Sequence, residues 1–103
     1  MPEIDYPVLV RSKTKFGQFV RILRTSLTDL PYSVEVCQLI TTAPLVYTIR
    51  NTTSTTNFET CIDIYVSKTA EIHGNTSRAE AYIQTQPIAE RITIARELRR
   101  ARQ

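Results

Sequence analysis

The chain opens on an alternation of period two. Ile4, Tyr6, Val8 and Val10 are set against Asp5, Pro7, Leu9 and Arg11, which predicts a half-buried strand over residues 4–12. Pro7 cannot donate a ladder hydrogen bond, so an edge position is expected. The period then changes. Phe16, Phe19, Val20, Leu23, Leu27 and Leu30 recur at three and four residues, with Thr14 as N-cap and Pro31 as stop, predicting a helix near residues 15–28. Gln18, Arg21, Arg24, Thr25 and Thr28 fall on its other face, and Gly17 near its start weakens the pattern.

Four strand-like segments follow, over residues 33–40, 45–50, 58–67 and 79–85, rich in β-branched and aromatic residues and bounded by proline or polar clusters. In the third, Phe58, Thr60, Ile62, Ile64 and Val66 alternate with Glu59, Cys61, Asp63, Tyr65 and Ser67, the pattern of an antiparallel strand with one wet face. The threonine-rich run at 51–57 reads as a flexible polar loop, and His73-Gly74-Asn75 as a turn. Pro87 then stands where a first helical residue would. Ile88, Ile92, Ala95 and Leu98 recur at helical spacing behind it, predicting a terminal amphipathic helix through Gln103.

These elements predict one α+β domain over residues 1–103, in the order β-α-β-β-β-β-α. An N-terminal and a C-terminal amphipathic helix would pack on one face of a mainly antiparallel sheet of about five strands. A chain of this length buries roughly two-thirds of its unfolded surface, enough for one core without disulfide or metal staples. Cys37 and Cys61 stand far apart, at neither metal nor framework spacing, and are expected to be free thiols. No apolar run reaches the length of a membrane span and no signal-peptide pattern opens the chain, so a cytoplasmic or intracellular setting, or a virion, is expected.

Charge adds a sharper clue. Thirteen Lys+Arg against ten Asp+Glu give a net charge of only +3, but the basic residues gather at 11–24 and 91–102 while the middle of the chain is mildly acidic. Arginine dominates lysine, and its planar fork suits bidentate contact with phosphate or carboxylate. Lys13, Lys15, Arg21 and Arg24 at the first predicted helix and Arg91, Arg96, Arg99, Arg100 and Arg102 at the last would form one basic ridge if the helices lay side by side. Such a ridge binds phosphate backbone without reading bases. The ordinary alternative is two solvated helices, with Glu90 and Glu97 partly neutralising them and the last arginines complementing the helix dipole.

Enzymatic chemistry has no foothold in the pattern. His73 is the only histidine, Gly17 and Gly74 the only glycines, so a histidine relay, a His-based metal site or a phosphate-binding glycine loop is not expected. Glu59 and Asp63, about 13 Å apart on an extended strand, are too far to act as a retaining carboxylate pair. No cofactor, metal, membrane span or small-molecule substrate is called for. Leu39, Tyr65 and Tyr82, with Cys37, would form a mixed sheet face suited to an interface. The expected function is a small non-enzymatic, self-associating protein, a homo-oligomer that binds RNA or DNA backbone through helix arginines, as a viral coat, matrix or accessory protein does. The alternative is an assembly or adaptor module that binds protein alone, its basic helix solvated or paired with an acidic partner.

Overall fold

The computed structural model describes residues 8–25 and 31–101. Four antiparallel strands form a meander in chain order: β1 (Val8–Arg11), β2 (Gln18–Arg24), β3 (Tyr32–Thr42) and β4 (Leu45–Thr55). Two helices follow, α1 (Phe58–His73) and α2 (Arg78–Ala101), joined by a 3-10 turn over Asn75–Ser77. The α+β class and the antiparallel sheet stand as expected. The order does not: all described strands precede both helices.

The helix expected near 15–28 is instead the β1–β2 hairpin, apart from residues 26–28, which lie outside the described residues. Phe16 (φ 53°) and Gly17 (φ 75°) both adopt the left-handed region, the conformation of a two-residue hairpin turn whose twist matches the strands. Lys15 and Gln18 close it with two backbone hydrogen bonds of 2.9 Å. Val20 and Ile22 point to one face of β2, Phe19 and Leu23 to the other, and all four are buried. A strand buried on both faces carries apolar residues at both parities, which imitated the three-and-four spacing of a helix.

The reverse substitution occurs at 58–67 and 79–85, expected strands that are helical. In α1 the buried set is Phe58, Cys61, Ile62, Tyr65, Thr69 and Ala70, the spacing of one helix face, and it outweighs the alternation of Ile62, Ile64 and Val66. Asn57 caps the start, its Oδ1 accepting from the Glu59 N–H at 2.8 Å, and Gly74 (φ 95°) ends the helix by donating its N–H to the Ala70 carbonyl. The terminal helix begins nine residues before Pro87, which lies inside it. Residues 51–55 of the expected flexible loop continue β4, paired in register with Tyr32 to Val36 of β3. The expected first strand is realised as β1, with residues 4–7 outside the described part.

Both helices lie on one face of the sheet. Val10, Val20, Ile22, Tyr32 and Val34 project from the strands against Phe58, Cys61, Ile62 and Tyr65 of α1 and Ala81 of α2. The Tyr32 and Phe58 rings meet with centroids 5.3 Å apart, and the Tyr65 hydroxyl donates to Gln84 Oε1 at 3.0 Å, tying α1 to α2. Cys37 and Cys61 are free and fully buried, on opposite faces of the sheet. Among the described residues no helix is long and apolar enough to cross a membrane.

Burial pushes the Cys61 thiol up to about 12 from an ordinary 9.0, and the Tyr65 hydroxyl up to about 12 from 10.0. An acid whose folded pKa is raised stabilises the fold below its unfolded pKa and loses that contribution as pH rises through the folded value. Stability measured by urea midpoint is therefore expected to hold to about pH 9 and to decline from there toward pH 12, with Cys61→Ala flattening the first part of the decline. A native Cys61 thiol that reacts with a thiol reagent at pH 8 as fast as the unfolded chain would contradict this burial.

Candidate nucleic-acid interface

The arginines of the two basic segments part company in the fold. Side chains alternate along β2, so Arg21 points away from the helices while Arg24 ends the strand on the helix-covered side. On the face away from the helices, Arg21 donates through Nε to Glu35 Oε1 at 2.8 Å, approaches the same oxygen through Nη2 at 2.7 Å, and donates from Nη1 to the Tyr47 hydroxyl at 2.9 Å. Burial works against its charge, but the hydrogen bonds from Glu35 and Tyr47 outweigh it and hold its pKa above the ordinary arginine value. Arg11 stacks over Phe19 at 4.1 Å and Phe19 meets Tyr47 edge-on, so this face carries a cluster of aromatic rings and guanidinium groups in which Arg21 is paired with Glu35. Arg21 is a sheet-bracing residue.

Arg24 has a different setting. It borders two adjoining clefts: one of about 290 Å³ with Arg91, Leu9 and Ile92, the other of about 240 Å³ with Arg96, Arg99, Tyr32 and Thr56. The helical spacing explains the convergence. Ala81, Thr85, Ile88, Ile92 and Ala95 form the stripe of α2 that faces the sheet, and the next position on that stripe is Arg99. Leu98, expected in the core stripe, is 56% exposed on another face. The buried stripe therefore runs past the sheet margin and ends in a guanidinium beside Arg24. No carboxylate among the described residues lies within ion-pair distance of Arg24, Arg91, Arg96, Arg99 or Arg100. The expected neutralisation by Glu90 fails, since Glu90 lines the groove between the helices instead.

The remaining sequence-selected residues lie elsewhere. Lys13 sits 3.9 Å from Glu80, near the start of α2, about 28 Å along that helix from Arg99. Lys15 lies over the exposed Phe16 ring at the hairpin turn, 5.5 Å from its centroid, and Arg102 is outside the described residues. The single ridge of two parallel helices does not form, because the first basic segment is a hairpin. Of the interface residues, Tyr65 is wholly buried in the core, Leu39 is half-buried on β3 and Tyr82 is half-exposed on α2, so they share no sheet face. Glu59 and Asp63 become helical neighbours in the α1–α2 groove. Tyr32 and Thr56 were missed as cleft residues; β3 pairing and the α1 start bring them there, and no local motif marks either.

Three guanidinium groups border one small cleft with no described carboxylate within ion-pair distance, a set whose planar forks can chelate an anionic oxygen cluster. α1 begins two residues after Thr56, so its N-terminal partial positive charge lies at the same end of the molecule. Among the described residues no group of three His, Cys, Asp or Glu is placed to hold a metal. No known protein family matches the chain, and no curated protein or solved structure matches it either.

The contrast between Arg21 and the cleft arginines is measurable. Arg21→Met alone leaves Glu35, itself buried, without its partner, and is expected to cost more stability in urea unfolding than Arg21→Met combined with Glu35→Leu. Equal losses in the single and double variants would show that the pair is a solvated contact.

Proposed function

We propose that this chain is a small non-enzymatic protein that self-associates and binds nucleic-acid phosphate backbone, in the manner of a viral coat, matrix or accessory protein. The reading rests on the cleft where Arg24, Arg96 and Arg99 converge with no carboxylate partner among the described residues. Like charges held together repel, and phosphate oxygens bridging them relieve that repulsion by bidentate hydrogen bonds. Arg91, in the adjoining cleft, extends the positive surface along α2. The cleft lies at the margin of the sheet and presents no ring on which a base could stack openly, since Tyr32 is buried, so contact is with backbone and independent of sequence.

Self-association draws on the sheet margin and the far end of α2. β4 is an 11-residue edge strand whose outer backbone groups have no described partner, and Leu45, Val46 and Ile49 are exposed along it. Proteins that remain monomeric blunt such edges with short strands, charges or covering elements. The radius of gyration, 14.8 Å, exceeds the roughly 13 Å of a compact chain of this length, as a projecting hairpin and helix end require. The protein-only alternative has its own support in the carboxylates that line the α1–α2 groove, a counterpart for a basic helix.

Binding to a mixed-sequence single-stranded polynucleotide, followed by anisotropy across a salt series, tests the proposal. The parent is expected to lose affinity steeply with salt, and the triple variant Arg24→Gln, Arg96→Gln, Arg99→Gln to bind more weakly with a slope shallower by about three, one per lost phosphate contact. Lys13→Gln with Lys15→Gln is expected to leave the slope nearly unchanged. A parent that shows no salt-dependent binding, or a triple variant that binds as the parent does, would hand the function to the protein-only reading.

A further inference from the structure

α2 overhangs its neighbour. Ser77 and Glu80 line a cleft with His73, while Thr93 and Ile94 line a groove with Glu59, so α1 and α2 run antiparallel and α1 begins level with Thr93. Residues 95–101 extend beyond it, and every residue from Thr93 to Ala101 is exposed. Tyr82, Gln86, Ala89 and Thr93 form the stripe of α2 that faces α1, and the same spacing continues to Arg96 and Arg100, which have no α1 opposite them. One continuous helix face is thus covered in its first half and bare and basic in its second.

The covered half is acidic. The groove between the helices, about 650 Å³, is lined by Glu59, Asp63 and Glu90 over an apolar floor of Ile62, Tyr82 and Ile94. None of the three carboxylates has an ion pair among the described residues. The surface therefore carries opposite charge at its two ends, with Ile94 between them. A surface of that kind is complementary to itself under a two-fold axis through its middle, where each end meets the opposite end of the other copy.

We infer that the α1–α2 groove is the seat of the α2 overhang of a second copy of this chain, in a reciprocal, two-fold pair. This rests on the self-association part of the proposed function and gives it a surface. In the pair the two α2 helices cross near Ile94, each burying Ile94, which is 48% exposed in one copy. Arg100 of each overhang lies over Asp63 and Glu90 of the other groove. Arg24 and Arg99 stay on the sheet-facing side of α2, outside this contact, while Arg96 borders both the phosphate cleft and the overhang face.

Sedimentation equilibrium of the nuclease-treated full chain tests this with two variants altered only at exposed residues: Asp63→Arg with Glu90→Arg in the groove, and Arg100→Glu in the overhang. The parent is expected to be a dimer, and each variant alone to dissociate at least about tenfold more readily with an unchanged circular dichroism spectrum. An equimolar mixture of the two is expected to restore the dimer, because in the mixed pair one contact is native and the other charge-reversed, and both are complementary. A parent dimer that neither variant weakens overturns the groove assignment while leaving self-association standing, through the β4 edge. Failure of the mixture to re-form a dimer, or a parent dimer that vanishes on nuclease treatment, also overturns it. A parent monomeric at every concentration ends the self-association reading itself.

Discussion

The seating of α1 across β2 and β3 is the contact on which the rest depends. Val20, Ile22, Tyr32 and Val34 offer a flat apolar surface, and Phe58, Cys61, Ile62 and Tyr65 fill it with one helix face. Valine, isoleucine and phenylalanine side chains each gain roughly 1.5–3 kcal/mol when fully buried, so this layer is a large part of the fold's driving force. The Tyr65–Gln84 hydrogen bond then fixes α2 beside α1. α2 is consequently anchored through its first half, where Ala81 and Thr85 are buried, and leaves the core in its second half.

Three stripes of α2 have different fates for that reason. The one facing the sheet passes from Ala81 through Ile92 to Arg99, and delivers a guanidinium to Arg24. The one facing α1 passes from Tyr82 through Thr93 to Arg96 and Arg100, and runs out beyond the α1 start. The outward one carries Ile83 and Leu98 in solvent, with Ile94 at its border with the α1 groove. In the proposed reading, binding and assembly are carried by neighbouring faces of one helix, and both follow from its being longer than its support. On the opposite side of the sheet, Arg11, Phe19, Tyr47, Arg21 and Glu35 form a cluster in which Arg21 is already paired with Glu35.

The sequence was legible where its period had one cause. β3, β4 and the terminal helix stand over Ser33 to Ile40, Leu45 to Arg50 and residues 87–101 as the alternation and the i, i+3, i+4 spacing indicate. It misled where two causes overlapped. β2 is apolar at both parities because both its faces are covered, and so read as a helix; α1 is rich in β-branched residues, and so read as a strand although Phe58, Cys61, Ile62, Tyr65 and Thr69 already held helical spacing. The site was half legible. Arg91, Arg96 and Arg99 stand out by composition, but whether Arg21 or Arg24 joins them depends on which side of β2 each faces, and that parity required knowing that β2 is a strand. Tyr32 and Thr56 enter through pairing between distant segments, which no single-sequence pattern records.

The central claim is that Arg24, Arg96 and Arg99 form the anion-binding centre while the equally basic Arg21, Lys13 and Lys15 do not. A titration of isotopically labelled protein with a short single-stranded oligonucleotide, followed by NMR resonances of arginine Nε–H and backbone amides, tests it most directly. The account expects the largest shifts at Arg24, Thr56, Arg96 and Arg99, fading as salt is added, with Arg21 and Glu35 unmoved. Shifts centred on Arg11, Arg21 and Tyr47, or on Lys13 and Lys15, would place the nucleic acid on the sheet face away from the helices or on the hairpin and contradict the account.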